Sequence, residues 1–132
     1  MKKIVLIALI ALSATCQNKT SINADSPVLE IDARVIGDKL PVDGCGAHLW
    51  LNIISPSSDS RTFMRLPTEA TRKLMDNVIK AEIAAQPPGA LWMGSKDVRI
   101  RYRETKQMAT LLCGWNTKQE LKAVEILAIT PQ

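Results

Sequence analysis

Three groups of residues in this sequence have types and spacings that can do chemistry. Cys45, His48 and Cys113 offer two sulfurs and an imidazole, and a catalytic zinc needs three protein ligands plus a water. Asp43 lies close to His48, but no Gly-x-Ser-x-Gly or other nucleophile context accompanies that pair. Arg99, Arg101 and Arg103 recur at every second position, so on a strand they share one face, with Arg34 of another strand expected nearby. A row of that kind can track the backbone of a single-stranded nucleic acid.

Each group also has a plainer reading. Cys45 and His48 point to opposite faces of a strand unless the glycines around Cys45 bulge the chain, and no fourth ligand is evident. The chain has a single histidine, and a surface position is the simpler expectation for it. There is no Cys-x-x-Cys redox motif. A nucleic-acid groove also needs stacking aromatics, and Trp50 is the one candidate on an outward strand face. Glu30, Asp32 and Glu125 sit on neighbouring strands of a small barrel and can compensate the arginines as cross-strand pairs. The expectation is therefore no metal, no cofactor, no nucleic-acid partner and no catalytic residue, with Trp50, Trp92, Arg99 and Arg101 kept as weak binding candidates.

The elements that must hold these residues come from one domain, the most that 132 residues suggest. Lys2 and Lys3 supply half of the formal net charge of +4, so the domain behind them carries no strong field toward a polyanion. Residues 1–3 form a basic head and residues 4–12 an uninterrupted apolar run. Nine helical residues reach about 14 Å, far short of the roughly 30 Å hydrocarbon core, so residues 1–15 read as an export signal and not as a span.

Residues 12–16, Leu-Ser-Ala-Thr-Cys, resemble the lipobox of bacterial lipoproteins. The resemblance implies cleavage before Cys16 and acylation of that cysteine, which would become the first residue of the mature chain. Ordinary cleavage after Ser13 is the rival, and it would leave Cys16 a free thiol in an oxidising compartment. Residues 16–27 then serve as a lipidated polar tether with an r.m.s. reach of roughly 18 Å. The domain proper is residues 28–132.

Within it, Leu29, Ile31, Ala33 and Val35 alternate with Glu30, Asp32 and Arg34, a half-buried strand. Gly44-Cys45-Gly46 opens a second alternating run, with Leu49, Leu51 and Ile53 on one face and His48, Trp50 and Asn52 on the other. Residues 55–60 are turn chemistry, and residues 61–66 a third strand. Pro67-Thr68-Glu69 predicts a helix start capped by Thr68, followed by an apolar stripe of Leu74, Met75, Val78, Ile79 and Ile83. Pro87-Pro88-Gly89 ends it. Residues 98–103 alternate strictly, residues 110–115 predict a separate short strand, and residues 123–129 the last one.

Three strands, a helix and further strands give a mainly β fold: a five-to-six-stranded OB-like Greek-key barrel with one helix between strands three and four. The series Gly-Cys-Gly, Val-x-Ile-x-Tyr, Cys-Gly-Trp and Val-Glu-Ile-Leu-x-Ile also resembles small envelope lipoproteins of Bacteroidota with an OB-like barrel. That resemblance implies a Cys45–Cys113 disulfide. Cysteine counting agrees with it, since Cys16 assigned to lipid leaves an even pair. Such a bond closes most of the domain in one loop, worth roughly 4 kcal/mol by chain entropy. Trp115 is expected to pack over the bridge or a barrel end.

The functional expectation is a non-enzymatic envelope lipoprotein, periplasmic or outer-membrane associated, held by lipid on Cys16. Its barrel would bind an envelope protein or a small ligand. The alternatives are a periplasmic inhibitor or saccharide-binding module using Trp50, Trp92 or exposed loops, and a small metal-dependent enzyme centred on Cys45 and His48.

Overall fold

A computed structural model describes residues 26–38, 44–52, 63–90 and 92–132. The leader, the lipobox with Cys16, most of the tether, Asp43, Ile53, the 55–60 turn, Arg61, Thr62 and Leu91 lie outside the described residues.

Five strands close into a barrel: β1 (Leu29–Ile36), β2 (His48–Leu51), β3 (Met64–Pro67), β4 (Ser95–Cys113) and β5 (Thr117–Pro131), in the order β1-β2-β3-β5-β4. Every pairing is antiparallel except β3 with β5, which is parallel. A helix, α1 (Arg72–Ala84), sits between β3 and β4. This is the expected OB-like barrel.

The alternating strands turn their apolar positions inward. Ala33 and Val35 of β1, Leu49 and Leu51 of β2, Val98, Ile100 and Tyr102 of β4, and Val124 and Ile126 of β5 form the main core. The helix covers it with Met75 and Val78, which are buried, while Leu74 and Ile79 are partly so. Ile83, expected in the same stripe, is exposed, one residue before the helix ends. Its neighbour Glu82 meets Lys96 of β4 at 3.4 Å.

The helix also starts differently from the expectation. Pro67 belongs to β3, and a 3-10 turn (Glu69–Thr71) precedes α1. Thr68 makes no side-chain cap; its hydroxyl is 2.9 Å from that of Thr71. The Thr71 hydroxyl accepts from the Ile126 amide at 3.2 Å, and the Thr68 amide donates to the Val124 carbonyl at 2.8 Å. These threonines satisfy backbone groups of β5 and lash the helix start to the sheet.

The largest departure is in β4. Residues 110–115 are not a separate strand: β4 runs unbroken to Cys113, past a bulge between Glu104 and Met108. In that bulge the Thr105 hydroxyl donates to the Ala123 carbonyl at 2.6 Å and accepts from the Gln107 amide at 3.2 Å. The side chain supplies bonds that the interrupted ladder omits, so the strand continues where its alternation falters. Beyond the bulge, β4 and β5 form an arm with Cys113 opposite Thr117 at its end.

This arm closes a second ring of strands. Cys45, just before β2, bridges to Cys113 in an antiparallel pair, and the Gly46 amide donates to the Leu112 carbonyl at 2.8 Å. From Cys45 the circuit runs through β2, β3, β5 and the arm of β4 back to Cys45. Inside it lies a second core of Met64, Leu66, Leu111 and Leu121, with Cys45, Trp50, Ala109 and Cys113 against it. Trp50 and Met64 are register partners next to the Leu49–Arg65 pair, so they point away from the barrel interior. Thus β3 is a wall between two cores and is buried at all four residues.

Candidate functional site

The expected disulfide is present between Cys45 and Cys113, 68 positions apart. It joins the segment entering β2 to the end of the arm and stands at the border of both rings. With their sulfurs joined, neither cysteine offers a thiolate, so the Cys45, His48 and Cys113 set is not a zinc site in this state. Among the described residues no group of three or more His, Cys, Asp or Glu side chains is placed to hold a metal ion.

Beside the bridge, the outer face of β1 and β2 carries a cavity of about 450 Å³, lined by Arg34, Ile36, Gly44, Cys45, His48, Trp50 and Asn52. Alternation explains the set. Arg34 pairs with Trp50 and Ile36 with His48 across the β1–β2 ladder, so all four project from the face opposite Val35 and Leu49. Gly44 and Cys45 form one end of the hollow and Asn52, just beyond β2, the other. The Asn52 amide donates to the Asp32 carbonyl at 3.1 Å, which fixes its backbone.

The polar groups here are held in place. The Arg34 Nε donates to Asp97 Oδ1 at 2.8 Å, leaving the two terminal nitrogens of the guanidinium without another partner among the described residues. His48 is buried at 6% exposure and not a surface residue as expected. The arm and the Cys45 segment rise beside its end of β2, which turns an outward face into an enclosed one. Its Nδ1 lies 2.8 Å from the Gly46 carbonyl; in the neutral imidazole that contact places the proton on Nδ1. Asp38 accepts from the Ala47 amide at 2.6 Å through Oδ1, bracing the same segment. Trp50 is half-buried and stacks on Phe63, with ring centroids 5.9 Å apart and planes inclined by 18°.

No protein-family model, curated protein or solved structure matches this chain. The chemistry of the hollow must therefore be read from its own atoms. It offers an aromatic wall, an apolar contact at Ile36, a guanidinium and a carboxamide. Those are groups that orient a bound molecule. Among the described lining residues there is no hydroxyl, carboxylate or free thiol.

The other binding candidates are dispersed. Arg99 donates to Glu30 at 2.9 Å and to Asp32 at 3.0 Å, Arg101 lies 4.0 Å from Glu30, and Arg103 lies 3.6 Å from Glu125. The hydrogen bond that Arg99 donates to Glu30, and then the charge of Asp32, raise the Arg99 pKa above its ordinary value. The expected compensation of this row by acidic neighbours is what the structure has, and the row does not reach the hollow.

Trp92 does not line the hollow. It packs against the main core and fills the space over Gly37 and Gly94: a Cβ at Gly37 would lie 2.7 Å from its ring, and one at Gly94 would lie 2.9 Å from it. The Gly37 amide donates to the Gly94 carbonyl at 2.9 Å, so two glycines admit one indole at the barrel end. Trp115 does the reverse of what was expected. It is 84% exposed and covers neither the bridge nor a barrel end.

Sequence reasoning passed over Ile36, Gly44 and Arg34 as lining residues, and read the arm's end of β4 as a separate short strand. A signal for the arm was there: Ala109, Leu111 and Cys113 alternate with Met108, Thr110 and Leu112 up to a Gly-Trp-Asn turn.

Proposed function

We propose that this protein is a non-enzymatic lipoprotein of the bacterial cell envelope, tethered through lipid on Cys16, whose OB-like barrel binds a small ligand or another envelope protein. One observation carries the binding part: a hollow of about 450 Å³ beside the disulfide, where Arg34, Trp50 and Asn52 converge. Its volume is within the range of small-molecule sites, roughly 300–1,000 Å³. Both walls of the hollow are rigid, one a barrel ladder and the other stapled by Cys45–Cys113, so little ordering cost is left to binding. The envelope part rests on the export signal and lipobox-like leader, and a disulfide suits that oxidising compartment.

The second reading, a saccharide-binding module, is favoured by the Trp50–Phe63 stack with Asn52 and Arg34 nearby. An aromatic face suits the apolar face of a sugar ring, while the amide and guanidinium suit its hydroxyls.

The test is a photo-crosslinking residue at Asn52 in cells, with intact-mass measurement of the membrane-extracted protein. The expected result is an acylated mature chain and one stoichiometric adduct, lost in Trp50→Ala. A protein adduct supports the adaptor reading and a glycan adduct the saccharide reading. An Asn52 probe that gives no adduct, or the same adducts with and without Trp50, overturns the site. An unmodified Cys16 overturns the lipoprotein.

A further inference from the structure

The end of the arm is built in an unusual way. Between Cys113 and Thr117 the chain turns through Gly114, Trp115 and Asn116, and both Trp115 (φ +58°) and Asn116 (φ +55°) are left-handed. Asparagine tolerates that region; tryptophan rarely adopts it. The indole nevertheless gains no burial, at 84% exposure, and the disulfide two residues away holds the turn in place. A large apolar ring is thus held out in solvent by a braced and strained backbone, the pattern in which strain marks function.

The arm's outward face continues the theme. Leu111 and Ala109 turn into the second core, so Leu112 and Met108 turn out, 54% and 56% exposed. The ladder places Lys118 directly across from Leu112 and Lys122 directly across from Met108. All of them are exposed, as is Lys106 in the bulge. The ion pairs among the described residues use none of these three lysines. The one carboxylate on this face, Glu120, accepts a hydrogen bond from Thr110. On this face β4 therefore presents Met108 and Leu112 with Lys106, β5 presents Lys118 and Lys122 on either side of Glu120, and a tryptophan stands at the end.

We infer that this arm face is a membrane-docking surface for an anionic phospholipid bilayer. Trp115 enters the headgroup region with Leu112 and Met108 behind it, and Lys106, Lys118 and Lys122 meet the phosphates. Tryptophan favours the boundary between water and hydrocarbon, and lysines at an anionic surface add attraction that salt weakens. The charge pattern is what selects a bilayer over a protein partner: an apolar row edged by three lysines against one carboxylate, Glu120, leaves a net positive face that suits a uniformly anionic plane. This inference rests on the envelope reading for the nearness of a membrane, but not on the hollow at Trp50.

The test uses the mature protein in vesicles of phosphatidylcholine alone or mixed equally with phosphatidylglycerol. Bromine on the acyl chains quenches tryptophan emission, and the Trp115 contribution is the difference between wild type and Trp115→Phe. Trp115 should be quenched in the anionic vesicles, and less so as salt rises. Lys118→Glu/Lys122→Glu should lower the docked-to-undocked ratio reported by Trp115 quenching at least about tenfold, each lysine being worth several-fold, while its thermal unfolding matches wild type. The inference is overturned if Trp115 stays open to aqueous iodide in both vesicle types. It is equally overturned if Trp115 of the charge-reversed variant is quenched as in wild type, or if Trp115 is shielded in native envelopes but untouched by brominated lipid, which means a protein covers it. Intact mass of the same preparation separates the two readings. An unlipidated chain that binds anionic vesicles from solution sinks the lipoprotein and keeps the docking face; a lipidated chain with Trp115 in water does the opposite.

Discussion

At the scale of single residues, two side chains report on their surroundings. Tyr102 is the one tyrosine in the chain and lies inside the barrel near Arg65 and Glu104. Burial, and then the charge of Glu104, raise its phenol above the usual value, while Arg65 works against them. The folded protein therefore keeps the proton where the unfolded chain loses it. The stability this contributes is complete below about pH 10, the unfolded phenol's value, and is lost as pH rises through the folded value. Absorbance at 295 nm should show a single late titration that returns to the ordinary phenol value in denaturant, and Tyr102→Phe should flatten the alkaline loss of stability. Trp115 makes the second case. A left-handed backbone costs an ordinary residue roughly 1–2 kcal/mol, and glycine does not bear that cost. Trp115→Gly should raise the denaturant midpoint by about 1 kcal/mol in stability, offset in part by glycine's greater freedom when unfolded. The same change should abolish docking on anionic vesicles.

At the scale of elements, the disulfide and the arm belong together. Replacing Cys45 and Cys113 by serine should cost about 2–5 kcal/mol, the usual loss for a native bridge in a small domain. The damage should be uneven. Hydrogen exchange should first lose protection in residues 108–121 of the arm, while the β1–β4 ladder keeps its own, because the second core has few members and the bridge closes it. Elements with one buried face were legible from the sequence: Leu29, Ile31, Ala33 and Val35 gave β1, and Val98, Ile100 and Tyr102 gave the first half of β4. β3 was legible only in outline. Met64, Arg65, Leu66 and Pro67 are all buried, since each face of the strand has its own core, and a strand buried twice has no alternation to read. The second half of β4 was hidden for another reason. Residues 104–107 interrupt its pattern, and the Thr105 side-chain bonds that carry the strand across are tertiary. His48 misled likewise: alternation placed it outward correctly, but an outward face is covered once an arm rises beside it.

At the scale of the whole molecule, the fold was legible because its order of strands and helix leaves few closures. With a helix after strand three, the parallel β3–β5 pair completes the barrel. The hollow at Trp50 was not legible. It is made by Ile36, Gly44 and Asn52 coming together from separate segments, and neither the cysteine pair nor the cross-strand ion pairs suggested by the sequence brings those three together. The arginine row was readable because its partners follow from strand order alone, which put Glu30 and Asp32 beside Arg99.

The closed barrel also fixes where the bridge can sit. Cys45 and Cys113 are brought together from both sides of it, through β3 and β5 on one side and β1 on the other, so the native pair marks correct pairing of every strand. The finished strand pairing holds the two sulfurs side by side, so the bond is a record that the rest has succeeded. A chain with β5 misplaced loses that proximity, and its two thiols stay open to thiol–disulfide exchange. The bond that looks like a staple thus also acts as a seal on correctly paired molecules.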